Sequence, residues 1–178
     1  MRPDRVIDAA ASFWVAPDLA ALYRDPAPPY VCAAFHYPLT WGPGIASTIR
    51  RTNEASFATL LDGGTSQIPA HGAMRHVLFF YEDATALVTF TPGYWVNTAQ
   101  ATAELVMSVR VLDRHGDEIM STLVSGEGSA NGTGGCRVGA SLLSEAAEKA
   151  MRRAMEEYVH KVINSGAVAI GAVASDAP

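Results

Sequence analysis

The chain has no run of basic residues, no long apolar stretch and no cysteine beyond Cys32 and Cys136. Each shortage removes a class of function. Its only basic pairs, Arg50-Arg51 and Arg152-Arg153, sit on predicted helices, and the net charge is −5. Such a surface is a poor electrostatic match to nucleic acid and offers no polybasic patch to a membrane surface. The most apolar stretch, Ala167 to Ala174, is far shorter than the roughly 20 residues of a spanning helix. The start of the sequence does not read as a secretory leader, because Asp8 and Pro17-Asp18 interrupt its apolar character. The expectation is a chain that stays where it is made, or a mature form whose leader is gone. With two distant cysteines there is no CxxC metal or redox motif. Two separate buried thiols, or one disulfide in an oxidising compartment, both remain open at this point.

Motifs of catalysis and cofactor binding are equally scarce. The five histidines form neither HxH nor HExxH, and no serine sits in GxSxG. The glycine-rich stretch from Gly126 to Gly135 lies between a predicted strand and a helix, a place where anions bind. It lacks the Gly-Lys-Ser/Thr of a P-loop and the spacing of GxGxxG, so a mobile connection is the reading it supports. His71 and His76 could converge with Glu82 or Asp83, and Cys32 and His36 would share one face of a strand. Neither pairing carries a recognisable catalytic pattern, and no cofactor or metal ligand set is expected.

What is present is patterned structure. Charged residues make up 17% of the chain and apolar ones 49%. Residues 1–29 read as an N-terminal extension, with a short helix from Arg5 to Trp14, another helical turn or two from Asp18 to Tyr23, and a proline-rich linker from Asp25 to Pro29. Tyr30 to Pro38 reads as a strand, Ile45 to Leu61 as a helix stopped at Gly63-Gly64, Arg75 to Tyr81 as a central strand, and Leu87 to Thr91 as another. From Gln100 to Gly128 the pattern is a long hairpin: Ala101, Ala103, Leu105, Met107, Val109 and Val111 alternate with mostly polar residues. Its turn is Asp113 to Asp117. An amphipathic helix follows from Gly139 to Asn164, its apolar stripe rich in alanine on the N-terminal half. The fold class expected is α+β: a two-layer sandwich of a mainly antiparallel sheet with two helices on one face. The α+β domain spans 30–165, and a tail of small residues occupies 166–178.

Two segments resemble a known family. The strand and turn Val-Leu-Asp-Arg-His-Gly-Asp-Glu-Ile (residues 111–119), with the Ser-Gly-Glu-Gly that follows, and the helix Glu-Ala-Ala-Glu-Lys-Ala-Met-Arg-Arg-Ala-Met (residues 145–155) are similar to those of small Gram-negative envelope lipoproteins. Those domains share the α/β sandwich of the TolB amino-terminal domain and of periplasmic penicillin-binding-protein activators. There is no lipobox cysteine, so no residue here takes over lipid attachment. The resemblance implies a non-enzymatic adaptor or assembly role in the periplasm or on the periplasmic face of the outer membrane. It also implies the Cys32–Cys136 disulfide. Partners would be other envelope proteins or further copies of the chain, with peripheral outer-membrane association if a lipidated leader once preceded it, and no nucleic acid. Contacts are expected from the sheet edge, the extension and the aromatics Trp14, Trp41, Tyr94 and Trp95. Rival readings are a cytoplasmic structural subunit of a phage or secretion assembly, and a ligand-binding or enzymatic domain built from the loops near His71, Tyr94 and Gly128.

Overall fold

The computed structural model describes residues 6–62 and 75–166 together with Val168. His71, the Gly63-Gly64 stop and most of the small-residue tail lie outside the described residues. The elements run β1 (Ile7–Val15), α1 (Pro17–Ala20), β2 (Tyr23–Arg24), β3 (Leu39–Thr40), α2 (Gly42–Ser56), β4 (Phe57–Asp62), β5 (Arg75–Thr91), β6 (Asn97–Leu112), β7 (Glu118–Gly134) and α3 (Val138–Tyr158), which ends in a π-helical turn at Val159–Ile163. One five-stranded sheet has the order β4-β1-β5-β6-β7, and β2 pairs with β3 apart from it.

The class is α+β, but the sheet is mixed rather than mainly antiparallel. Strand β1 runs parallel to both β4 and β5, while β5, β6 and β7 form an antiparallel meander. The first surprise is β1 itself. Residues 7–15 are not an appended helix but an inner strand, so the N-terminal stretch belongs to the core. Ala11, Phe13 and Val15 face the helices, and Ser12 and Trp14 are buried on the other side. A strand covered on both faces shows no polar alternation, and its alanines fit either period. Tyr30 to Pro38, expected as a strand, is a series of turns. Cys32 there has φ 65°, a left-handed conformation no strand accommodates.

The helix α2 ends sooner than its sequence suggests. Thr48, Thr52, Asn53 and Ser56 each donate a side-chain hydrogen bond to the carbonyl four residues back. Such back-bonding weakens helix interiors, and the chain passes directly into β4 at Phe57. Residues 75–81 and 87–91 are one strand with a bulge at Tyr81/Asp83. Arg24 reaches into that bulge, donating to Ala84 O (3.0 Å) and to the Tyr81 hydroxyl (2.6 Å).

The hairpin and final helix are present as read, and the hairpin is longer. The inward set from Ala99 to Val111 is almost wholly buried, and Gly116 takes φ 90° in the turn. The glycine-rich stretch is not a loop. It is the second half of β7, with Gly126, Gly128, Ala130 and Gly132 alternating inward under α3. An added Cβ would meet Ala150 O at 2.0 Å from Gly126 and Ala146 O at 1.9 Å from Gly128. The absence of side chains lets the alanine stripe of α3 lie directly on the strand. Beside it, α2 docks through a buried hydrogen bond from the Tyr158 hydroxyl to Asn53 Oδ1 (2.7 Å), and Tyr158 packs edge-on against Phe79.

Strand β7 is the last of the sheet, so one row of its backbone groups has no partner strand. Side chains of α3 fill that role. Lys149 donates to Ser129 O, Arg153 to Glu127 O and Lys161 to Leu123 O, each at 2.9 Å. Glu157 accepts from the Ser125 N–H and its hydroxyl. The register matches because four helical residues rise about 6 Å and two strand residues about 6.6 Å. Contacts are expected from the sheet edge, and of its two edges, β4 and β7, the β7 edge is covered by these side chains. Partial desolvation pushes the Glu157 carboxyl up, but bonds from Lys161 and Ser125 together with the Lys161 charge outweigh it, and its pKa lies below the ordinary value. A depressed pKa means the contribution is complete above the unfolded Glu value and fades as pH falls through the folded one. The variant Lys149→Ala/Arg153→Ala/Lys161→Ala is therefore expected to melt within roughly 2 °C of the parent, since exposed pairs contribute little. It is also expected to self-associate more strongly in sedimentation velocity. Unchanged association would show that the side chains do not guard the edge.

Candidate functional site

Two loops meet at one end of the molecule. The first is the β5–β6 tip, Pro92 to Val96. The second is the turn from Pro29 to His36. They are held together through β7: Asn97 pairs with Gly134, and Cys136 just beyond it is bonded to Cys32, with the Cα atoms 5.5 Å apart. Tyr37 completes the joint. Its hydroxyl donates to Cys136 O (2.6 Å), its ring stacks on Phe90, and burial pushes its pKa up. A disulfide of this kind forms and persists in oxidising compartments, which places the folded chain outside a reducing cytosol.

From this joint the aromatic side chains project outward. Tyr94 is 90% exposed, Trp95 88% and Tyr30 87%, with Phe35 and Val96 also exposed. The Tyr94 and Trp95 rings support each other edge-to-face at 4.7 Å. The two outward rows of the sheet behind the tips are uncharged. Thr91, Thr98 and Thr133 form one cross-strand row, and Thr89, Gln100 and Asn131 the next. From Pro26 to Phe35, from Ala84 to Ala103 and from Gly128 to Cys136 there is no Asp, Glu, Lys or Arg, although 17% of the chain is charged. Three distant uncharged segments thus meet at one end, bordered by the Asp25–His36 pair and by Arg137.

Other expected site residues lie elsewhere. Trp14 is 9% exposed and packs edge-on against Phe80, and Trp41 is 3% exposed at the start of α2. Both rings are buried in the core, which corrects the expectation that they stand exposed for contact. Gly128 pairs with Ala103 under α3, six positions along β7 from Gly134 and so roughly 20 Å from the tip. It therefore does not join Tyr94 in a site, and His71 lies outside the described residues. Cys32 is bonded to Cys136 while His36 pairs with Asp25 at 3.2 Å, so they form no nucleophilic pair. His76 Nδ1 lies 2.7 Å from the Ser12 hydroxyl, and both are buried partners on adjacent inner strands. Asp83 instead accepts from the Ala84 N–H within the bulge.

One further concavity, about 290 Å³, runs between α2 and α3 over Met151, Met155 and Val159, with Arg51, Glu148 and Arg152 on its lips. The Thr48 and Thr52 hydroxyls beside it are bonded to helix carbonyls. Among the described residues no group of His, Cys, Asp or Glu could hold a metal ion, and no helix is long and apolar enough to cross a membrane.

No protein-family model matches the chain, and no curated protein does. Among solved structures it is similar to a neuraminyllactose-binding hemagglutinin homolog from Helicobacter pylori, with 9% identity over 94% of this chain and 86% of that one. The TM-score is 0.38, too loose a superposition to carry an argument about fold or role.

Proposed function

We propose that this protein is a non-enzymatic adaptor or assembly domain of the bacterial cell envelope. It works by contact, in the periplasm or on the periplasmic face of the outer membrane. One observation carries the reading: large aromatic side chains stand almost fully exposed on a disulfide-joined end whose tips carry no charged residue. Soluble surfaces rarely leave such groups clustered without a use. The disulfide favours an extracytoplasmic site of action, and the likeness of the hairpin and alanine-rich helix to envelope lipoproteins favours the envelope. Covering of the β7 edge by α3 favours the aromatic end over that edge as the surface for contact.

Complementation tests the proposal. A strain lacking the gene is given the parent or the Tyr94→Ser/Trp95→Ser variant. The variant is expected to fold and accumulate normally, since neither ring is in the core, yet to restore none of the deletion phenotype. Full complementation by a variant with both rings removed would sink the contact reading.

A further inference from the structure

We propose that the aromatic end beds into the interfacial region of a lipid bilayer, so that the protein carries a membrane-facing element of its own. The proposal rests on the contact reading and names the partner of that same surface. Shape is the first argument. The rings stand on two projecting turns, and a protein partner would need matching pockets to bury them. A headgroup layer deforms around such projections. Chemistry is the second. Tyrosine and tryptophan combine an apolar body with a hydrogen-bonding tip, the combination that favours membrane–water interfaces. Trp95 and Tyr94 lead, with Val96 beside them and Tyr30 and Phe35 on the neighbouring turn. The rows behind, Thr91-Thr98-Thr133 and Thr89-Gln100-Asn131, offer hydroxyl and amide groups to headgroup oxygens with no ion to desolvate.

Charge placement is the third argument. The chain is net negative, yet this end carries none of its acids on the tips. Glu104 and Glu127 stand as a cross-strand pair several residues back, and Asp25 is paired with His36. Arg137 is exposed directly after Cys136. Anionic headgroups therefore meet no repulsion here, although the protein as a whole would repel them. Uncharged tips on an acidic protein fit a lipid surface better than they fit a charged partner.

Intrinsic fluorescence of the full chain tests this directly. Trp14 and Trp41 are buried, so of the three tryptophans Trp95 alone is exposed and reports on the end. The protein is titrated with phosphatidylcholine vesicles, with and without phosphatidylglycerol. Both are expected to shift the emission to shorter wavelength and to protect Trp95 from aqueous acrylamide. Binding should survive moderate salt. The Tyr94→Ser/Trp95→Ser variant, with unchanged circular dichroism, should sediment with vesicles about tenfold or more less well, as expected for two rings removed from an apolar contact. Emission and quenching unchanged on both vesicles overturn the proposal. Binding only to phosphatidylglycerol and abolished by salt overturns it too, because the attraction is then ionic. If vesicles fail while the double variant still fails to complement, the end meets a protein instead and the contact reading stands. If the variant complements fully, both readings fall.

Discussion

The Cys32→Ala/Cys136→Ala variant is expected to lose about 4–5 kcal/mol of stability, because the bond closes a loop of 104 residues. In the chain-entropy account the crosslink restricts the unfolded ensemble, and the restriction grows with loop length. A loss of that size rivals the whole stability of many domains, typically about 5–15 kcal/mol. For a chain of this size it corresponds to roughly 10–15 °C in melting temperature. The same change releases the turn that carries Tyr30 and Phe35 from the β7 end. Thermal melts of the variant, and of the parent with and without reductant, measure the effect. A difference under about 1 kcal/mol would mean that the remaining joint, with Tyr37 bonded to Cys136 O and stacked on Phe90, holds the end unaided.

A single methyl group at Gly128 is expected to cost about 3 kcal/mol or more, and the same at Gly126 nearly as much. The atoms in the way are backbone carbonyls of Ala146 and Ala150, not the ends of pliable side chains. Relief requires α3 to lift from β7, which would withdraw Lys149, Arg153, Glu157 and Lys161 from the strand edge at the same time. Gly128→Ala should therefore combine a lower melting temperature with stronger self-association. Gly135→Ala is the control, since a Cβ there meets nothing within 4 Å. Equal stability of Gly128→Ala and Gly135→Ala would contradict the close docking of the helix.

The same glycines show how far the fold is legible in the sequence. Strand β6 and helix α3 could be read because each has one buried and one wet face, which imprints a period of two or of three to four. In β7 the period continues as Gly126, Gly128, Ala130 and Gly132, and it matches Ala146, Ala150 and Ala154 across the interface. Composition alone makes those glycines look like a loop. Only the pairing of an alternating glycine row with an alanine stripe reveals a strand under a helix. Strand β1 failed for the opposite reason. Most of both faces is covered, so only Asp8 and Ser12 are left to mark the alternation, and Val6, Ala10, Phe13 and Trp14 mimic a helical stripe. A parallel partner such as β4 is also remote in sequence, so no turn announces the pairing.

The candidate end was legible in pieces. Tyr94 and Trp95 follow Pro92-Gly93, a turn signal that places them on a tip, and they are exposed there. Cys32 and Cys136 could be paired or separate until the fold brought their segments together. Trp14 and Trp41 look the same as Trp95 by residue type, yet one lies in an inner strand and the other at the base of α2. The missing signal was charge. The three uncharged segments, 26–35, 84–103 and 128–136, can be counted in the sequence, but their convergence needs the β6–β7 register and the disulfide.

The central claim is that the aromatic end is the surface that makes contact, and the opposite end, at the β6–β7 turn, serves as its control. Its most direct test is a photo-cross-linking side chain placed at Trp95 or at the exposed Ile119 near that turn, in the intact cells that encode the protein. The account expects defined adducts, to lipid or to one protein, from position 95 and none above background from position 119. Equal yields from the two positions, or none from position 95, would contradict it.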